Sequence, residues 1–234
     1  MSRKYRGSMS DQLTWAHTAL NNALQSPEVL AALSKYGYDE AKIQQGLALY
    51  ETALAQHAAH DQAAGKKLAA TQVYNDAWRI AHSEHYAVHR HLARLVLKDD
   101  PERYHALRLD ETRPTNFTDW LDQAIVFYTN ALDDPGIVEA LTAFDVTAEA
   151  LQGSYDVVLE AGALKDAQQR RIAEARDATV ERNQARDALH TWMNHFRQVA
   201  RRALAKERHH LDAIQLGSVA NVRTEPTSVI IQPS

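Results

Sequence analysis

Apolar residues recur three and four positions apart through most of this chain, the spacing of helices that bury one face. Leu13, Ala16, Leu20, Ala23 and Leu24 make the first such stripe. Ile43, Leu47, Tyr50 and Leu54 open a second, continued by Trp78, Tyr86, Leu92, Leu95 and Val96. In the second half Trp120, Leu121, Ala124, Ile125, Tyr128 and Leu132 form a short stripe. A long one runs Ile172, Ala175, Thr179, Arg182, Arg186, Leu189, Met193, Phe196, Ala200 and Ala203, with the heptad-like spacing of a coiled coil. The pattern predicts an all-α protein.

Start and stop signals divide the stripes into elements. Ser10 is a suitable N-cap for a first helix. Ser26-Pro27, Asp100-Pro101 and Asp134-Pro135 each place a capping side chain before a proline at the first helical position, where its missing N–H costs nothing. Gly37 is placed to end the second helix, and Asp39 and Thr147 to cap the two long segments. No glycine or proline interrupts the chain between Gly162 and Gly217. This predicts one long helix per half, roughly 55–60 residues or ~80–90 Å at about 1.5 Å per residue. The other reading is a helical hairpin turning near Gly65 and around Ile172–Ala175.

The halves are alike. Asn22-Ala23-Leu24-x-x-Pro27-x-x-x-x-Ala32-Leu33 recurs 108 positions later as Asn130-Ala131-Leu132-x-x-Pro135-x-x-x-x-Ala140-Leu141. Further on the shift is 107: Arg90 matches Arg197, Ala93-Arg94 matches Ala200-Arg201, and Leu97 matches Leu204. One residue is therefore lost between the motif and the later segment. We read an internal duplication: an N-terminal tail over 1–9, helical repeats over 10–110 and 116–217, and a C-terminal tail over 218–234. The expected architecture is a long-helix bundle of two pseudo-equivalent halves. Its long helices run antiparallel, and the short helices of one half pack beside the end of the other half's long helix.

Composition narrows the class. Glycine (8) and proline (6) are scarce, as helices require. Cysteine is absent, which excludes disulfides and thiolate zinc sites and fits a reducing cytoplasm. A formal charge of −4 argues against bulk nucleic-acid binding. No apolar run approaches the ~20 residues of a membrane span. The expected location is cytoplasmic, with secretion by an unrecognised signal left open.

Candidate chemistry is thin. The twelve histidines are unusual, and they are densest over residues 82–91. His82, His85 and His89 share a helix face, and His85 and His89 have the i,i+4 spacing by which two imidazoles grip a metal ion. The acid of an HExxH motif is missing, since Tyr86 follows His85. At the shift of 107 these histidines correspond to Leu189, Trp192 and Phe196. Packing is thus their first reading and metal binding the second. Glu102-x-x-His105 and Glu207-x-x-His210 match half of a di-iron motif but do not correspond between repeats. Arg197, Arg201 and Arg208, with Arg202, Lys206, Arg90 and Arg94, form a basic stripe that reads first as a solvated, ion-paired face.

No Ser/His/Asp arrangement, phosphate-binding glycine loop or paired-carboxylate motif is present, so neither catalysis nor a cofactor is expected. The expected function is that of a structural or interaction protein: a duplicated bundle that self-associates or scaffolds partners. The alternative is a metal-binding bundle using the histidine face. Val229, Ile230 and Ile231 are the most β-prone triplet, and they are the candidate for self-association into a ring or filament.

Overall fold

The structure, a computed structural model, describes residues 7–216. Among the described residues every regular element is helical. Helices α1 (Met9–Gln25) and α2 (Pro27–Ser34) precede the long α3 (Glu40–Ile80). A π-helical turn (Ala81–Tyr86) joins α3 directly to α4 (Ala87–Val96), and the short α5 (Pro101–Ala106) follows. The second half has α6 (Phe117–Asp133), α7 (Pro135–Thr142), the long α8 (Ala148–Ala203) and the short α9 (Arg208–Ala213).

Capping follows the expected chemistry with one correction. Ser8, not Ser10, caps α1. Its hydroxyl accepts from the Asp11 N–H, while the Asp11 carboxylate accepts from the Ser8 N–H at 2.8 Å. That reciprocal box satisfies two otherwise orphaned donors, which a cap at Ser10 does not offer. Ser26, Asp39, Asp100, Asp134 and Thr147 all accept from backbone N–H groups of the helices they open. Helix ends are closed by residues with positive φ: Gly37 (80°), Arg108 (51°), Asp145 (65°) and Gln215 (55°). In each case the next residue's N–H reaches back to a carbonyl five positions earlier, as from Tyr38 to Leu33 and from Val146 to Leu141.

Both long segments are continuous helix, and neither turns at Gly65 or at Ile172–Ala175. Neither segment contains proline, and isolated glycines are tolerated in a helix, so the ladder propagates without interruption. Helix α3, the π turn and α4 have 41, 6 and 10 residues, one more in total than the 56 of α8. A π turn closes i→i+5 hydrogen bonds, here from the Ala87 N–H to the His82 carbonyl. It thereby absorbs one additional residue while leaving both flanking helices intact. In sequence the change from a shift of 108 to one of 107 lies between Leu33 and His82, ahead of most of this turn.

The chain divides into two compact units, each drawing on both sequence halves. The first takes residues up to Ala59 and from Thr179 onward: α1, α2, the start of α3, the end of α8, and α9. Leu13, Leu20 and Ala23 of α1 and Val29 and Leu33 of α2 are buried with Ile43 of α3 and with Leu189, Met193, Phe196 and Ala200 of α8. Tyr38 packs its ring on Trp192 and Phe196.

The second unit is His60–Ala178: the rest of α3, the π turn, α4 to α7, and the start of α8. Its core joins Tyr86 and Ala93 to Trp120, Phe127, Tyr128, Ile137, Leu141, Leu151 and Val158. Here α3–α4 and α8 run antiparallel. Thr71 meets Gln168, Tyr74 lies under Lys165, and His85 meets Ser154.

The NALxxPxxxxAL stretches do the same work in each unit. Asn22 donates to the Ala213 carbonyl at 2.7 Å, and Asn130 donates to the Ala106 carbonyl at 2.7 Å. Each asparagine thus ties a 17-residue helix, α1 or α6, to the last residue of a six-residue one, α9 or α5. Ala23 and Ala131 are fully buried, and Leu33 and Leu141 fill the core.

Gly65 lies mid-helix with nothing within 4 Å of the place a Cβ would occupy. Replacing it with alanine removes backbone entropy from the unfolded chain without a clash. Gly65→Ala is expected to stabilise the protein by about 0.5–1 kcal/mol, read as a raised urea midpoint at constant slope.

Candidate functional site

The most unusual chemistry lies around the π turn, in the second unit. Here the histidine face meets α6 and α8, and its members go to different partners. His82 is half-buried between the rings of Trp78 and Trp120, with centroids 6.3 and 5.8 Å away. His85 Nδ1 lies 2.9 Å from Ser154 Oγ on α8. His89, 9% exposed, has Nδ1 3.2 Å from the Tyr128 hydroxyl on α6. Between them Tyr86 donates to Gln123 Oε1 at 2.8 Å, and the Gln123 amide donates to Glu111 and to the Thr112 carbonyl. These are separate polar contacts inside an aromatic shell, and each buried group in them matters because an unpaired one is costly.

Burial shapes the titration of these groups. Desolvation lowers the pKa of His89, and His85 beside it lowers it further. Desolvation, then the charge of Arg113, lowers that of His82. Burial pushes the Tyr86 hydroxyl up to about 12 and that of Tyr128 higher still. For His82 and His89 burial thus favours the neutral imidazole, because a charge leaving water here loses solvation.

The first unit has an apolar version of the same contacts. Where Ser154 meets His85, Gly46 meets Trp192: a Cβ on Gly46 would lie 2.6–2.9 Å from three ring atoms of Trp192. Where His89 meets Tyr128, the positions 107 and 108 residues away hold Phe196 and Leu20, both fully buried. The histidines thus occupy packing positions, and hydrogen bonds replace ring-on-backbone contact.

Among the described residues, the set of three imidazole and carboxylate groups whose ligand atoms all lie within 4.8 Å of one another is His57, His60 and Asp61 on α3. His82, His85 and His89 form no such group. The His57-x-x-His60-Asp61 spacing places the three on one helix face, which sequence reasoning did not single out. Glu102 and His105 do not come together either, since His105 Nδ1 is 3.0 Å from Asp110 Oδ2. His210 Nε2 lies 3.3 Å from Glu207 and from Glu28. Val229, Ile230 and Ile231 lie outside the described residues.

The basic stripe is not one face. Arg90 is 6% exposed and donates to the backbone carbonyls of Arg108, Leu109 and Glu111, closing the end of α5. Helix α8 stops at Ala203, so Arg208 belongs to α9. What sequence reasoning missed is that Arg94 and Arg113, 19 positions apart, line one cleft with Arg90 and His91. Arg113 also lines a second cleft with Trp78, Arg79 and His82. Only the path of the 110–115 linker beside α4 creates this grouping.

Among the described residues no helix is long and apolar enough to cross a membrane. The chain matches no protein-family model, no curated protein and no solved structure.

Proposed function

We propose that this protein is a structural or interaction protein: an internally duplicated helical bundle that self-associates through repeated surfaces. The observation that carries the reading is a pair of exposed aromatics. Tyr36 and Phe144 are 50% and 47% exposed, and each stands in the loop after an eight-residue helix, α2 or α7. In both loops the aromatic N–H is fixed to a buried leucine's carbonyl, Leu33 or Leu141, at 2.9 Å. A large ring held at the same place in both units offers one kind of contact twice, which suits assembly from identical chains. Leu68, Val73 and Val180 add exposed apolar surface on the long helices.

Light scattering across concentration tests this. The wild-type mass is expected to rise with concentration. Tyr36→Ser with Phe144→Ser is expected to weaken association by about 2 kcal/mol per ring, or roughly thirtyfold each. A chain truncated after Gly217 shows whether the C-terminal segment shares in the assembly. A wild-type mass that stays monomeric at every concentration would sink the reading.

A further inference from the structure

We propose that the cleft between α4 and the 110–115 linker binds a small phosphate-bearing ligand. The cleft has a volume of about 430 Å³, within the range of small-molecule sites. Three guanidinium groups, those of Arg90, Arg94 and Arg113, line it together with the His91 imidazole. Arg90 is the built part. It is more than nine-tenths buried, and three carbonyl bonds from Nη2 fix its guanidinium. An arginine already held in place loses little freedom when an anion arrives.

The cleft also contains two carboxylates, and both are engaged elsewhere. Asp110 pairs with His105 at 3.0 Å. Glu111 accepts from Gln123 at 3.1 Å and lies 3.9 Å from Arg108. Arg94 donates from Nε to the Tyr104 hydroxyl at 3.1 Å, which leaves its terminal nitrogens for a ligand. A carboxylate ligand has two oxygens to offer these donors, whereas a phosphoryl group offers three, so phosphate fits the donor set better.

The first unit supplies a control. Arg201 stands where Arg94 does at the shift of 107, yet His91 is replaced there by Gln198.

Isothermal titration of the full chain with inorganic phosphate, pyrophosphate and adenosine monophosphate, at fixed ionic strength, tests the proposal. Saturable one-site binding is expected for at least one of them, and the strongest probe shows whether the source is a free or an organic phosphate. Arg94→Ala and Arg113→Ala are each expected to weaken binding about tenfold, with unchanged melting because both side chains are exposed. Arg94→Lys is expected to recover only part, since lysine lacks the two-pronged geometry. Arg201→Ala is expected to leave binding unaltered. The proposal is overturned if no probe saturates, if Arg201→Ala weakens binding as much as Arg94→Ala, or if only a single-stranded oligonucleotide binds.

Discussion

Mild acid is expected to loosen the second unit before the first. His89 is buried and neutral, with its pKa below the ordinary 6.5 because burial penalises the imidazolium and His85 lies alongside. His82, between two tryptophans and near Arg113, is shifted the same way. A folded-state pKa below the unfolded one means that the unfolded chain takes up the proton first as pH falls. The stability contributed is therefore complete above about pH 6.5 and is lost as pH falls towards the lowered folded values. In the first unit the corresponding positions are Leu189 and Phe196, which do not titrate.

The measurement is melting temperature against pH, with amide exchange to locate the change. Each kcal/mol lost lowers the melting temperature by roughly 2–4 °C for a chain of this size. Exchange between pH 7.5 and 5 is expected to accelerate over residues 81–96 and 117–133 and to stay slow in α1 and α2. The variant His89→Phe/Tyr128→Leu copies the Phe196–Leu20 pair and is expected to flatten the pH dependence. An unaltered slope in that variant would show that another group carries the effect.

Gly46→Ser is expected to be the most damaging conservative change in the first unit. A side chain there meets the Trp192 ring at 2.6–2.9 Å, and that ring is itself stacked on Phe196 with centroids 5.5 Å apart. The ring cannot swing aside as the tip of a lysine would. Overpacking of this kind costs about 1–3 kcal/mol, more than the few tenths regained by removing a helical glycine. Trp192→His alone loses packed area. Together the two changes rebuild the Ser154–His85 contact of the second unit, where the hydroxyl and imidazole lie 2.9 Å apart. The double variant should therefore lose less than the sum of the singles, by about 0.5–3 kcal/mol in a urea-unfolding cycle. Simple additivity would mean that the two contacts are not interchangeable.

What was legible in the chain by itself was local or periodic. Helix class, the proline-opened short helices and the caps at Ser26, Asp39, Asp100, Asp134 and Thr147 depend on neighbours a few residues away, so spacing and residue type suffice. The continuity of α8 was legible too, since no glycine or proline lies between Gly162 and Gly217, whereas Gly65 left a turn in α3 open. The correspondence of His82, His85 and His89 with an apolar face pointed to packing before any contact was known. The cap at Ser8 was missed because Asp11 reaches backwards, and Asp145 was missed because aspartate tolerates a left-handed conformation without announcing it as glycine does.

The rest was decided only by tertiary structure. Periodicity says which face a helix buries but not what lies opposite it. Hence Ser154 and Tyr128 could not be assigned to His85 and His89, nor Trp192 to Gly46, from spacing alone. The π turn at 81–86 beside the histidines was not legible either, since whether a helix takes up one more residue depends on which register lets both flanking helices keep their cores. The arginine cleft was the least legible feature of all. Arg94 and Arg113 share it only because the linker passes beside α4, and the carboxylates between them in sequence are drawn away by His105, Gln123 and Arg108. A local charge count is blind to that arrangement, because electrostatic surroundings depend on distance in space rather than distance along the chain.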